Sequence, residues 1–168
     1  MNAQNPFHLI QPRAVFVRCF LVLLTTSLSL VVAAQPDAAS RRRNYNTENG
    51  VALREFDPVS YFQGKPLKGI SKFHYTHSGV TYYFANQANV DEFKKSPARY
   101  EPAYGGWCAY TVALNGDRVK VNPATYKIIE GQLHVFYNFN GDNRLAKWNK
   151  NEKKLMAAAK KNWVAKMH

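Results

Sequence analysis

Two stretches of this chain are built to one plan, and that plan limits the fold more than any other feature. Phe73-His74-Tyr75-Thr76 and Val80-Thr81-Tyr82-Tyr83-Phe84 flank His77-Ser78-Gly79, while Tyr126-Lys127-Ile128-Ile129 and Leu133-His134-Val135-Phe136-Tyr137 flank Glu130-Gly131-Gln132. Aromatic and β-branched side chains suit a pleated surface, and a glycine between two such runs supplies the conformation a tight turn needs. Both read as antiparallel hairpins. An isolated hairpin is at best marginal in water, so other elements must cover them. Asn86 can cap a helix ending near Lys95, with Val90 and Phe93 on its inner face and Pro97 as its stop. Asp142 or Asn143 can cap a last helical region in which Leu155, Ala159 and Trp163 recur every fourth residue, with a break at Asn149-Lys150-Asn151. Trp107 to Ala113 reads as a further strand, and Asn115-Gly116 as a hairpin turn. The expected architecture is a small α+β domain of antiparallel hairpins packed with a short central helix and a C-terminal amphipathic helical region.

The 168 residues suffice for one domain and leave no room for a nucleotide-binding domain beside a substrate domain. Arg13 and Arg18 precede an apolar run from Cys19 to Ala34 that exits through Val32-Ala33-Ala34-Gln35-Pro36. A basic start, a short apolar stretch and small residues at the exit read as a secretory signal peptide over residues 1–34. The competing reading is a membrane anchor, but the run spans about 16 residues, short of the roughly 20 a crossing needs. Residues 35–50, with Arg41-Arg42-Arg43, read as a flexible basic linker, and residues 51–168 as the folded domain. The expected location is periplasmic or secreted, with no transmembrane segment after processing. Cleavage would remove two of the 23 basic residues and none of the 11 acidic ones, leaving 134 residues at +10 with Cys108 as the lone thiol. Such a charge attracts anionic surfaces through the basic tail and last helix. Export argues against nucleic acid as the partner.

Asp57-Pro58-Val59-Ser60-Tyr61-Phe62, then His77 to Ala85, then Phe93, Pro97 and Tyr100 together resemble the YHS domain family. The continuation Tyr104-Gly105-Gly106-Trp107-Cys108-Ala109-Tyr110 and the Trp-bearing C-terminal helix are similar to an exported subgroup of it. The resemblance implies the α+β fold and, through members that handle heavy metals, a link to metal binding. Those members carry cysteines at positions that here are Asp57 and Ser60 and fall near Ala85 and Asn89.

Three chemistries remain open for the domain. In the first, the protein is a non-enzymatic binder. Cys108, behind two glycines, joins His74 and His134 from two strands to ligate copper or zinc, and Asp57 adds an oxygen ligand or a hydrogen bond. Thiolate and imidazole are soft and borderline donors that suit these ions. In the second, Cys108 pairs with a neighbouring histidine as a reactive thiol. No C-x-x-C pair, G-x-S-x-G elbow or phosphate-binding glycine loop accompanies it. In the third, Tyr82, Tyr104, Trp107 and Tyr110 line an aromatic pocket for a small ligand or peptide. Each of these residues also has an ordinary use in core packing.

Overall fold

The computed structural model describes residues 37–166, so the signal-peptide reading lies outside the described residues. Helix α1 (Ala38–Asn44) opens this part, with the Asp37 carboxylate accepting from the Ser40 N–H as its cap. The segment read as a flexible linker therefore carries a helix. Asn44 and Asn46 explain how it is held. The Trp107 indole donates to the Asn44 carbonyl at 2.7 Å, and Asn46 donates through its backbone to Gly105 and through its side chain to Gly106.

Two short strands follow, β1 (Thr47–Glu48) and β2 (Val51–Ala52), then β3 (Ile70–His77) and β4 (Val80–Phe84). They form one sheet in the order β1-β2-β4-β3, with β2 and β4 parallel and the other pairs antiparallel. The expected first hairpin is β3–β4, with Ser78-Gly79 as its turn and His77 paired to Val80 as the last residue of the strand. Val80, Tyr82 and Phe84 alternate inward along β4. Helix α2 (Gln87–Lys95), capped by Asn86, lays Val90 and Phe93 on that face. The Phe93 ring stands 4.9 Å from Tyr82 and 5.3 Å from Phe84, and burying it fully stabilises the fold by about 1.5–3 kcal/mol. Pro97 does more than stop α2. It opens the one-turn helix α3 (Pro97–Tyr100), where the missing N–H costs nothing.

The largest departure from the sequence reading comes next. Ala109 to Asn115 form helix α4, preceded by Cys108, where a strand was expected. Gly116 is its left-handed C-cap, donating to the Val112 carbonyl, and not a hairpin turn. The apolar run Trp107 to Ala113 satisfies either period over so few residues, and packing decides: Ala109, Val112 and Ala113 face the C-terminal helices.

The second expected hairpin is present as β5 (Asn122–Ile129) and β6 (Gln132–Phe136). A two-residue pair, β7 (Asn138–Phe139) and β8 (Asp142–Asn143), leads into α5 (Arg144–Asn149) and α6 (Glu152–Lys166). Asn143 caps α5 by accepting from the Ala146 N–H. Strand β6 divides the surrounding core in two. Leu133 and Val135 join Cys108, Leu53, Tyr61 and Val121 on one side. Phe136 joins Trp148, Ala159 and helix α4 on the other, the side to which the His134 ring also turns. The domain is a small α+β fold, and among the described residues no helix is long and apolar enough to cross a membrane.

Candidate functional site

The residues proposed as metal ligands stand on separate elements. His74 lies exposed on β3, its Nδ1 2.8 Å from the Ser71 carbonyl. His134 is 2% exposed on β6, its Nδ1 3.0 Å from the Gln132 carbonyl. With Nδ1–H donating there, Nε2 holds a lone pair, and that atom is buried without a partner among the described residues. Burial lowers the pKa of this imidazole, and the bond to the Gln132 carbonyl offsets part of the effect. The ring packs between Tyr104 and Trp148. Cys108 lies with Leu133 and Val135 on the opposite side of β6, because successive strand residues point to opposite faces. Among the described residues no three His, Cys, Asp or Glu side chains are grouped to hold a metal ion.

Asp57 has another task. Its Oδ1 accepts from the N–H groups of Val59 and Ser60 at 2.8 and 3.3 Å, and its Oδ2 accepts from the Ala85 N–H at 2.9 Å and the Asn89 side chain at 2.6 Å. This wholly buried carboxylate ties the Pro58 turn to the end of β4 and to α2. The residues it binds include Ser60, Ala85 and Asn89.

Cys108 is fully buried, and its Sγ accepts from the Tyr137 N–H at 3.3 Å. Arg144 approaches from α5, with its guanidinium 4.5 Å from the Tyr137 ring centre, and bonds to Asp142 and Thr111. Burial works to lower the pKa of that guanidinium, but the bond to Asp142 and the proximity of Cys108 outweigh it and raise the value. The sulfur therefore has hydrogen-bond donors and a positive charge as its polar company. A cation entering there would meet like charge.

The expected aromatic quartet is divided. Tyr82 is fully buried in the first core, Trp107 is tied to Asn44, and Tyr110 borders a cavity beside α5 and α6. Tyr104 lines a different cavity of 360 Å³, with Tyr45, Glu101, Gln132, Lys160 and Trp163 around it. Gly105 lets these walls meet. It has φ +60°, and a Cβ there would stand 3.0 Å from the Trp163 ring and 3.1 Å from the Tyr45 Cα. Tyr82 contributes from behind. Its hydroxyl donates at 2.8 Å to Glu101 Oε1, the same oxygen that accepts from Arg41 of α1. Arg41 also covers the Tyr45 ring, 4.5 Å from its centre.

Of the charges at the wall of this cavity, Glu101 is paired with Arg41 of α1, and Lys160 reaches the exposed Glu130 at 3.3 Å. Its phenols remain donors at neutral pH. Burial and then the Glu130 charge push Tyr104 up to about 12, while burial and then the Glu101 charge push Tyr45 up to about 12. The indoles of Trp107 and Trp148 donate to Asn44 and Glu152, whereas the Trp163 indole has no such partner among the described residues. Tyr45 escapes a reading of the sequence that treats residues 35–50 as linker, and Glu101 lies between segments whose packing no local pattern reports. The signal that finds Tyr45 is its spacing of four from Arg41, which suits a guanidinium over a ring at the end of a helix.

No family model matches the chain, and neither a curated protein nor a solved structure matches it.

Proposed function

We propose that this protein is an exported, YHS-like binding module that holds a small ligand in the cavity between Tyr45, Tyr104 and Trp163. The observation that carries this reading is the Glu101 carboxylate, buried at the wall of an aromatic cavity with one oxygen held by Arg41 and Tyr82. The YHS-like character rests on the sequence resemblance; at or near the positions where metal-handling members carry thiols, Asp57 instead binds Ser60, Ala85 and Asn89, and no thiol is present among them. Location outside the cytoplasm rests on the sequence of residues 1–34.

The wall chemistry favours a neutral ligand. An ionic one would have to compete with the largely buried Arg41–Glu101 pair. Ring faces offer apolar contact, while the Tyr104 hydroxyl, the Trp163 indole and the Gln132 carboxamide offer hydrogen bonds. A ring with one apolar face and hydroxyl groups on its edge, such as a pyranose, satisfies both. Titration with the neutral disaccharide cellobiose, followed by tryptophan fluorescence, tests this. Saturable quenching that disappears in Trp163→Phe and Tyr104→Ala supports the cavity. Quenching that survives in both variants counts against it.

A second reading keeps the sulfur. The Cys108 surroundings are not wholly hydrocarbon, since the Tyr137 N–H and Arg144 reach it. Ligation of copper or zinc, or thiol chemistry, would then centre on Cys108. Anaerobic titration with Cu(I) and Zn(II) decides: an affinity that falls in Cys108→Ser supports the thiol, and equal affinity in both forms removes it.

A further inference from the structure

The last two helices hold most of the charge imbalance of the chain. From Arg144 to Lys166 stand eight basic residues and a single acidic one, Glu152. Glu152 is already engaged, accepting from Lys127 Nζ at 2.5 Å and from the Trp148 indole at 3.0 Å. Along α6 the buried Ala159 faces the core, while Lys153, Lys154, Ala157, Lys160, Lys161 and Val164 are exposed at helical spacing on the other side. Lys147 pairs with Asp142 and Lys160 with Glu130, whereas Lys150, Lys153 and Lys154 have no carboxylate within 4.0 Å among the described residues. Where α5 meets α6, a cavity of 460 Å³ is bordered by Lys147, Lys150, Lys154, Tyr110, Leu114 and Leu155. Leu114 is 59% exposed at its edge. Cationic heads thus surround an apolar floor.

We propose that this corner docks the protein on an anionic lipid surface. Lysine stems lie along apolar surface while their heads reach the phosphate level, and Leu114 with the Tyr110 ring meets the interface beneath. A soluble polyanion would answer the lysines and leave the apolar floor in water. The apolar stripe of α6 is occupied by the core, so the helix rests on its lysine face and does not insert.

The test is co-sedimentation of the full chain with phosphatidylcholine vesicles, with and without phosphatidylglycerol. The full chain is used in every arm, so any contribution of residues 1–34 is common to all. Phosphatidylglycerol should raise the bound fraction, and added salt should reverse the gain. Replacing Lys150, Lys153 and Lys154 with Ala should weaken the phosphatidylglycerol-dependent part by about fivefold per lysine. Leu114→Ser should weaken it at unchanged charge. The proposal is overturned if alanine at Lys65, Lys72 and Lys94, exposed lysines elsewhere, weakens binding equally, because net charge alone would then explain it. It is also overturned if Leu114→Ser has no effect, the behaviour expected of a polyanion site.

Discussion

Asp57 and Glu101 are both buried carboxylates, yet one closes a structure and the other borders a space. Asp57 accepts four hydrogen bonds, two on each oxygen, from three neighbouring segments. Nothing remains with which it could hold a ligand. Glu101 accepts from both Arg41 and Tyr82 on Oε1 and lies against an aromatic cavity. Carboxylate identity and burial are shared by the two. What separates them is how fully N–H groups occupy their oxygens: the Pro58 turn brings the Val59 and Ser60 N–H groups to Asp57, and Ala85 and Asn89 complete the set.

Asp57→Ala should have the greatest effect of any substitution at either carboxylate. It strands buried donors at Val59, Ala85 and Asn89, so a loss of about 3–5 kcal/mol in urea unfolding is expected. A loss below about 1 kcal/mol would show that the carboxylate is no rivet. Gly105→Ala comes next. An L-residue held at positive φ costs about 1–2 kcal/mol, and the new methyl presses on Trp163 and Tyr45. Cellobiose affinity should fall along with stability. Glu101→Gln keeps the shape of the wall but weakens its grip on Arg41, with about 1 kcal/mol of stability expected to go. If Glu101 instead behaves like Asp57, its loss will match the alanine variant above and the contrast fails.

His134 gives the smallest effect, and a direction only. Burial lowers its pKa in the folded chain below the ordinary 6.5, so the unfolded chain binds more protons there. Its contribution is fully present above about pH 6.5 and is lost as pH falls toward the depressed folded value. The stability of the wild type should drop between pH 7.5 and pH 5.5 more steeply than that of His134→Gln, measured by urea midpoints. Parallel profiles would mean that protonation of this ring is accommodated at no cost.

Both hairpins, the Asn86 and Asn143 caps and the α5–α6 break are readable from residue order, because each depends on neighbours along the chain. Helix α4 is not, since the five residues Ala109 to Ala113 suit either period until α6 packs on them. The site was partly legible. Tyr104 is named from sequence as a pocket residue, whereas the glycines beside it read there as room for Cys108. Trp163 was visible only as part of the core stripe on the last helix. Tyr45 and Glu101 reach the same place from segments 56 residues apart, which no local pattern reports. Two of the proposed ligands, Cys108 and His134, stand on opposite sides of β6. Strand alternation turns His134 away from Leu133 and Val135, and Cys108 packs with those two.

The cavity beside Glu101, and not the sulfur, is proposed to receive the ligand, and nitrogen-15 correlation spectra followed during cellobiose addition distinguish the two. The Trp163 indole and Gly105 amide signals should move together and saturate, with the Trp148 indole still and the response gone in Tyr104→Ala. Signals moving instead at Tyr137 and around Cys108, or no movement at Trp163, would contradict the proposal.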